Sequence, residues 1–468
     1  MPQKETNRLE TEPVGRLLVR LSAPAIAAQL VNLLYNLVDR MYLGHIQPAD
    51  TVGRLALTGV GVCLPLIMIL SAFAALAGMG AAPRASILLG QGDRKAAEKT
   101  LGNAFSALVL LAVILTIIFS WFAEPMLRAF GASDGTGGTE NTLQYALSYF
   151  RIYALGSLFV LTTLGLNAFI SAQGFTRTSM LTVLIGAGCN IALDPLFIFA
   201  FRMGAAGAAL ATILSQAVSM VWTIRFLTGK RTAIRIRRSC LKLEPAVLLP
   251  SLALGLSPFI MMSTESLLAV CFNTSLRKYG GDLAVGAMTV LSSVMQFSML
   301  PLQGLTQGAQ PIISYNFGAG HAGRVRAAFR YLLLACLVFS MTLWAAVQLF
   351  PSAFVRLFND DPALVELGSH ALRVYMGATG LFGAQIACQQ TFVALGNAKS
   401  SLFLAALRKI ILLIPLIYIL PAILPVPKTD AVFLAEPVAD LLAVSTTVTL
   451  FFFQFRAAMR KLDERSAP

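Results

Sequence analysis

Twelve mostly apolar stretches run along this chain, at 17–43, 56–79, 97–122, 144–171, 178–200, 204–228, 246–278, 283–309, 325–350, 363–393, 400–424 and 431–456. A helix that crosses a bilayer needs about 20 such residues. The pattern therefore predicts an all-α polytopic membrane protein with twelve transmembrane helices. Three of these stretches carry polar residues at helical spacing. In the first, Gln29, Asn32, Asn36 and Asp39 fall on one face, within an arc of roughly 80° at about 100° per residue. Leu, Val, Ile and Ala make up the rest of that helix, as a lipid-facing surface requires. A carboxylate there costs on the order of 3 kcal/mol unless it meets a partner or water. Asp39 is thus either a functional group or an interfacial acid sharing its charge with Arg40.

The fifth stretch contains Cys189-Asn190-Ile-Ala-Leu-Asp194-Pro195. Asn190 and Asp194 are four apart and share a face. Pro195 has no N–H for the carbonyl of Ile191, which leaves an oxygen free near the carboxylate. The sixth stretch brings Thr212 and Gln216, again four apart, behind small residues (Gly204, Gly207, Ala208, Ala209, Ala211) that permit close helix packing.

Composition fits the membrane reading: 57% of the residues are hydrophobic and 12% charged, about half the charge of a soluble domain. The net charge of +14 follows from where the basic residues lie, so no nucleic-acid partner is expected. Arg84, Arg94, Lys95 and Lys99, then Lys230, Arg231, Arg235, Arg237, Arg238 and Lys242, then Arg324 and Arg326, and finally Arg460, Lys461 and Arg465 share one side of the twelve-span topology. Basic residues mark the inner side, which puts both termini in the cytoplasm. The first twenty residues read as a cytoplasmic tail, with the first span as its own targeting signal. Six cysteines without a pairing pattern and three scattered histidines give no expectation of disulfides, a zinc site or an intramembrane enzyme.

This topology also sets depth. Counting about 1.5 Å per residue from the outer helix ends, Asp39, Asp194 and Thr212 all fall roughly 8–13 Å below the outer surface. Two carboxylates close together in a low dielectric cannot both stay ionised without a cation. The layer is therefore expected to hold a proton or, with the Asn and Thr oxygens, a hard cation such as Na⁺.

The halves resemble each other. Pro83, Gly90 and Gly92 after the second span are matched in spacing by Pro311, Gly318 and Gly320 after the eighth, and Gly174 is echoed by Gly396. Two six-helix copies have the same orientation, so the expected organisation is an N-lobe (1–228), a basic cytoplasmic linker (229–244) and a C-lobe (245–468), with a central cleft for substrate. Aligning Pro24 with Pro258 sets Asn273 opposite Asp39; aligning Gly174 with Gly396 sets Leu412 and Leu416 opposite Asn190 and Asp194. The cation site is therefore expected in the N-lobe alone. Glu265, midway along the seventh span, is either a cleft residue that attracts cationic substrates or a group bonded to a neighbouring helix. Gln29, Asn32, Asn36 and Gln296 complete the candidate cleft set, with Gln296, like Gln303, Gln307, Gln385 and Gln389, also able to join helices. Arg408 and Lys409 lie deep in the eleventh span. Snorkelling accounts for one of them more easily than both, so a pairing with a buried carboxylate is the alternative.

With Pro24, Asn36-Leu-Val-Asp39-Arg-Met-Tyr-Leu-Gly44, Gly90-Gln-Gly92-Asp93, Ala172-Gln-Gly174-Phe-Thr-Arg177, Asn190-Ile-Ala-Leu-Asp194-Pro195 and Gly207-Ala-Ala-Leu-Ala-Thr212 in view, the chain resembles the multidrug and toxic compound extrusion (MATE) family over its whole length. The resemblance implies two pseudo-symmetric six-helix bundles. It also implies a monomeric antiporter in a bacterial plasma membrane, in contact with membrane lipid and without a cofactor, that exchanges H⁺ or Na⁺ for a cationic, amphipathic small organic molecule. It assigns the cation site to Asp39, Asn190, Asp194 and Thr212, and adds Asn167 of the fourth span. The tenth span, around Gln385-Ile-Ala-Cys-Gln-Gln390, offers no acid, which favours the DinF/MepA-like branch. The alternatives are a lipid-linked oligosaccharide flippase of the same superfamily and, from the faint echo in Gly92-Asp-Arg-Lys95, a major-facilitator-type transporter.

Overall fold

The computed structural model describes residues 8–46, 52–135 and 141–466. The principal helices are α1 Val14–Gly44, α2 Arg54–Gly90, α3 Arg94–Trp121, α4 Leu143–Leu155, α5 Ser157–Ala172, α6 Thr176–Pro195, α7 Ala205–Thr228, α8 Pro245–Gly318, α9 Ala322–Leu349, α10 Pro362–Tyr375, α11 Thr379–Ala394, α12 Ala398–Ala406, α13 Ile414–Ile423 and α14 Ala435–Ser466. Short helices and turns join them. A π turn over Leu196–Ala200 continues α6, and another over Leu407–Leu413 links α12 to α13.

The arrangement is consistent with twelve spans. Nine described helices are long and apolar enough to cross a membrane. The longest, α8, is broken at Gly281, whose φ of 64° suits glycine, and so supplies two spans. The fourth and tenth apolar stretches are each interrupted, and the fourth is bent. The axes of α4 and α5 differ by 58°, about Gly156, where a Cβ would stand 2.3 Å from the Ile213 side chain. The tenth stretch is α10 and α11, separated at Met376–Ala378.

By contacts the chain falls into two compact units. The first comprises 27–88 and 93–255; the second comprises 9–26, 89–92 and 256–468. The first half of α1 thus belongs with the second unit. There it packs on α8 at the Gly304/Gly308 pair, where a Cβ would lie 2.4 Å from Ile26 Cγ1 or 2.2 Å from Ser22 Oγ. Small residues four apart permit such close approach of two helix backbones. The Ser22 hydroxyl donates to the Leu305 carbonyl at 3.3 Å.

The internal repeat is visible in backbone conformation. Gly92 and Gly320 have φ of 80° and 82°, and Gly174 and Gly396 have 88° and 77°. Each begins a turn into the next helix, a left-handed conformation that glycine adopts without strain. Asp93 caps α3 by accepting from the Ala96 amide at 2.9 Å. That capped turn accounts for the Gly-Asp-Arg-Lys echo without a major-facilitator loop.

The polar connection over 229–244 lies down on the first unit. Gln173 Oε1 accepts from the Thr232 hydroxyl at 2.7 Å and from the Ala233 and Ile234 amides at 2.9 and 3.1 Å. Asn103 Oδ1 accepts from the Glu244 amide at 2.6 Å, and Arg237 pairs with Glu98 at 2.6 Å.

Candidate functional site

The first unit brings the predicted polar set together. α6 and α7 pack side by side, which puts Asn190, Asp194 and Thr212 in direct contact. The Asn190 Nδ2 amide donates to Asp194 Oδ1 at 3.2 Å and reaches Thr212 Oγ1 at 3.4 Å. Asp194 is 0% exposed and Asn190 2%. The four-residue spacing sets both on one face, and Pro195 ends the regular helix beneath them. The chain continues there as the π turn, with the Phe201 amide bonded to the Leu196 carbonyl at 2.9 Å.

Asp39, on the second half of α1, stands near enough to Asp194 for their charges to interact, and Tyr35 one turn earlier on α1 feels both. Arg40 beside it is exposed, while Asp39 Oδ1 is buried without a hydrogen-bond donor among the described residues. One carboxylate oxygen of Asp39 is thus turned inward.

Asn167, on α5, donates to the Ser179 carbonyl at 3.4 Å and turns its Oδ1 inward. A narrow cavity of about 50 Å³ runs beside these groups, lined by Asn32, Tyr35, Thr163, Asn167, Asn190 and Thr212 among others. Gln216, Ser215 and Ser219 of α7 and Thr182 of α6 complete its polar wall. Of these, Thr163, Thr182, Ser215 and Ser219 escape the sequence reading, because single hydroxyls on a helix face bond their own backbone as often as a ligand.

The unsatisfied atoms here share one chemistry. Asp39 Oδ1, Asp194 Oδ2, Asn190 Oδ1, Asn167 Oδ1 and Gln216 Oε1 are all buried acceptors lacking a donor among the described residues. Buried polar groups are normally hydrogen-bonded. A set composed wholly of oxygen acceptors suits a proton or a hard cation.

The candidate cleft residues divide between the units: Gln29, Asn32 and Asn36 lie in the first, Glu265 and Gln296 in the second. Asn36 donates to the Asn32 carbonyl at 2.7 Å, and Gln296 is exposed. Glu265 has a partner: Lys409 Nζ donates to its Oε1 at 2.6 Å. Arg408 is also held by acids, Nη2 to Glu436 Oε1 at 2.9 Å and Nε to Asp440 Oδ1 at 2.7 Å. Both bases are thus buried in ion pairs, and neither snorkels. Glu436 and Asp440 were missed in the sequence, although their four-residue spacing inside an apolar run is the signal that marked Asn190 and Asp194.

The π turn also corrects a register. It lies over Leu407–Leu413 and adds one residue, and the positions matching Asn190 and Asp194 by burial are Leu413 and Ile417, 1% and 0% exposed, rather than Leu412 and Leu416.

Comparison with known proteins agrees with this architecture. The family model MatE matches residues 24–196 and 258–419, well over half of the chain. The multidrug export protein MepA of Staphylococcus aureus is 25% identical over 423 residues, covering 90% of this chain and 91% of its own. The solved structure of the MATE multidrug transporter DinF-BH is 32% identical and superposes with a TM-score of 0.85, covering 95% of this chain and 96% of that one. A MATE structure in a bent conformation reaches a TM-score of 0.89 at 22% identity, over 98% of this chain and 99% of the other. With the twelve-span repeat, the α6/α7 polar contact and these matches together, the chain belongs to the MATE family.

Proposed function

We propose that this protein is a cation-coupled antiporter that exports amphipathic, cationic organic compounds by alternating access. Asp39, Asn190, Asp194 and Thr212, with Asn167, hold the coupling H⁺ or Na⁺ in the first unit. The observation that carries this reading is the group of buried acceptor oxygens on Asp39, Asn167, Asn190, Asp194 and Gln216. Such a group is expensive in a membrane interior unless a proton or cation neutralises it. Relatives named as multidrug exporters support an organic cargo. The polar face of α1, with Gln29, Asn32 and Asn36, lies next to the carboxylates in sequence and gives cation arrival a route to the cargo. A charge entering from outside adds about 2.3 kcal/mol per 100 mV of membrane potential to the driving force.

The test is efflux of a cationic dye from inverted membrane vesicles under proton and sodium gradients imposed separately. One gradient is expected to drive dye movement in the wild type and to fail in Asp39→Asn and Asp194→Asn. Dye movement that needs neither gradient would refute the coupling.

A further inference from the structure

The second unit has a groove that takes no part in the cation site. α9 and α14 both pack on α11 and touch each other little, which leaves a cavity of about 490 Å³ between them. Ala384 and Cys388 of α11, Phe329 of α9 and Phe455 of α14 are among its apolar lining. The two outer helices run in opposite directions, so Arg326 near the start of α9 and Arg456 near the end of α14 line the same end. Arg326 is paired there with Asp463, and Arg460 one turn beyond the groove with Glu464. Arg456 is exposed and has no ion pair among the described residues.

The repeat gives this place a counterpart. α3 and α9 span Arg94–Trp121 and Ala322–Leu349, 228 residues apart at both ends, the same separation as Pro83 from Pro311. On that register Arg326 corresponds to Glu98 of α3, and Arg456 to Thr228 at the end of α7. In the first unit the connection over 229–244 covers these helix ends. The Ile236 amide donates to the Leu227 carbonyl at 3.0 Å, Ile234 is fully buried, and Arg237 pairs with Glu98 at 2.6 Å. The cover there brings a cation to an acid. In the second unit the charge at the matching position is reversed, so the complementary cover is an anion.

α9 and α14 are both long and apolar enough to span a membrane, so lipid is the ordinary neighbour of a groove between them. The groove follows eleven residues of each helix, from Arg326 to Leu337 and from Val448 to Met459. At about 1.5 Å per residue that is roughly 16 Å, close to one leaflet's half of a hydrocarbon core about 30 Å thick. A guanidinium fork matches phosphate, and basic pockets between spanning helices suit anionic headgroups. With Arg326 offset by Asp463, Arg456 leaves one positive charge at the mouth. A zwitterionic headgroup leaves that charge standing, whereas a singly anionic one cancels it. We propose that this groove is a binding site for one anionic diacyl phospholipid, its phosphate on Arg456 and Arg326 and one acyl chain along Phe329, Phe455, Ala384 and Cys388. On the topology read from the sequence, that lipid belongs to the cytoplasmic leaflet.

The test is native mass spectrometry of purified, delipidated full-length protein in detergent, titrated with dioleoylphosphatidylglycerol or dioleoylphosphatidylcholine. One phosphatidylglycerol is expected to stay bound under activation that strips phosphatidylcholine. Arg456→Gln should weaken that binding about tenfold, the worth of one charge-assisted hydrogen bond, and bring it to the phosphatidylcholine level, while Arg456→Lys should keep the preference in part. Ala384→Leu, which fills the groove, should weaken both lipids. Arg238→Gln, which removes an exposed charge of the first unit, should change neither. Lipids bound alike by the wild type, or a preference that survives Arg456→Gln, would overturn the proposal. So would a dimer that Ala384→Leu abolishes, since a second copy would then occupy the groove. Should Ala384→Leu unfold, the exposed Arg456 variants decide alone. Efflux coupling in the first unit is read separately, so the two proposals fail independently.

Discussion

Asn190 shows how few contacts hold the candidate site. Its one amide nitrogen reaches both Asp194 and Thr212, while its own oxygen and Asp194 Oδ2 find no donor among the described residues. Asn→Leu there would remove the hydrogen bond that Asp194 Oδ1 accepts, at a cost of about 1–3 kcal/mol. Replacing the acids themselves has a different signature. Asp39→Asn and Asp194→Asn keep size and remove a buried charge, so folding stability should hold or rise. Drug resistance should nevertheless be abolished. Minimum inhibitory concentrations, read with membrane expression and thermal unfolding of the same variants, check this. Resistance that persists with either Asn would remove that carboxylate from the mechanism. Asp39, Asp194 and Thr212 were legible in the sequence because an acid or a hydroxyl at helical spacing stands out in an apolar run. Glu436 and Asp440 follow the same rule, but they start a helix, where acids are ordinary.

At the scale of elements, the positions of polar groups depend on breaks that periodicity cannot reveal. A π turn adds one residue to a helix and shifts everything after it by about 100°, and Leu413 and Ile417, not their neighbours, occupy the buried positions opposite Asn190 and Asp194. Pro195 and Pro415 lie beside the two π turns and lack the N–H a regular helix would use. Turns were more legible, because Gly92, Gly174, Gly320 and Gly396 are paired in both spacing and conformation. Gln173, next to one of them, makes a prediction about the connection over 229–244. Gln173→Leu would leave the buried Ala233 and Ile234 amides without their acceptor, at about 1–3 kcal/mol each, while the Thr232 hydroxyl keeps the Ile234 carbonyl at 2.8 Å. Gln173→Glu keeps the acceptor, now charged and facing the same donors, and gives up the Nε2 donation to the Phe169 carbonyl at 3.0 Å, so its loss is the smaller of the two and not zero. Thermal unfolding is expected to fall clearly for Leu and little for Glu; equal losses would mean that the acceptor does not hold this segment. The Gly304/Gly308 contact makes another. Gly308→Leu would force α1 away from α8 at about 1–3 kcal/mol and should lower the unfolding temperature, whereas the same change at Gly323, where a Cβ meets nothing within 4 Å, should not. Comparable losses at both positions would argue against the close packing.

For the whole molecule, the twelve spans and the duplication could be read from the chain, since both rest on long-range regularities of apolar length and glycine spacing. The different use that the two copies make of one location could not, because it depends on which side chains meet across helices far apart in sequence. The copies now differ in a testable way. The first unit has acceptor oxygens without donors, and the second has carboxylates already bound to Arg408 and Lys409. An ion that binds the folded state stabilises it, by about 2.7 kcal/mol at a hundred times its dissociation constant. If sodium is the coupling ion, the unfolding temperature of purified protein should rise when sodium replaces potassium at constant ionic strength. That rise should vanish in Asp39→Asn and Asp194→Asn and survive in Glu436→Gln. If the proton is the coupling ion, exchanging sodium for potassium should leave unfolding unchanged, while the pH dependence of the wild type should differ from that of the two Asn variants. A sodium effect that survives both Asn substitutions would place the ion outside the first unit. A protein indifferent to both ions would leave the acceptor oxygens of α1, α6 and α7 without a role in binding.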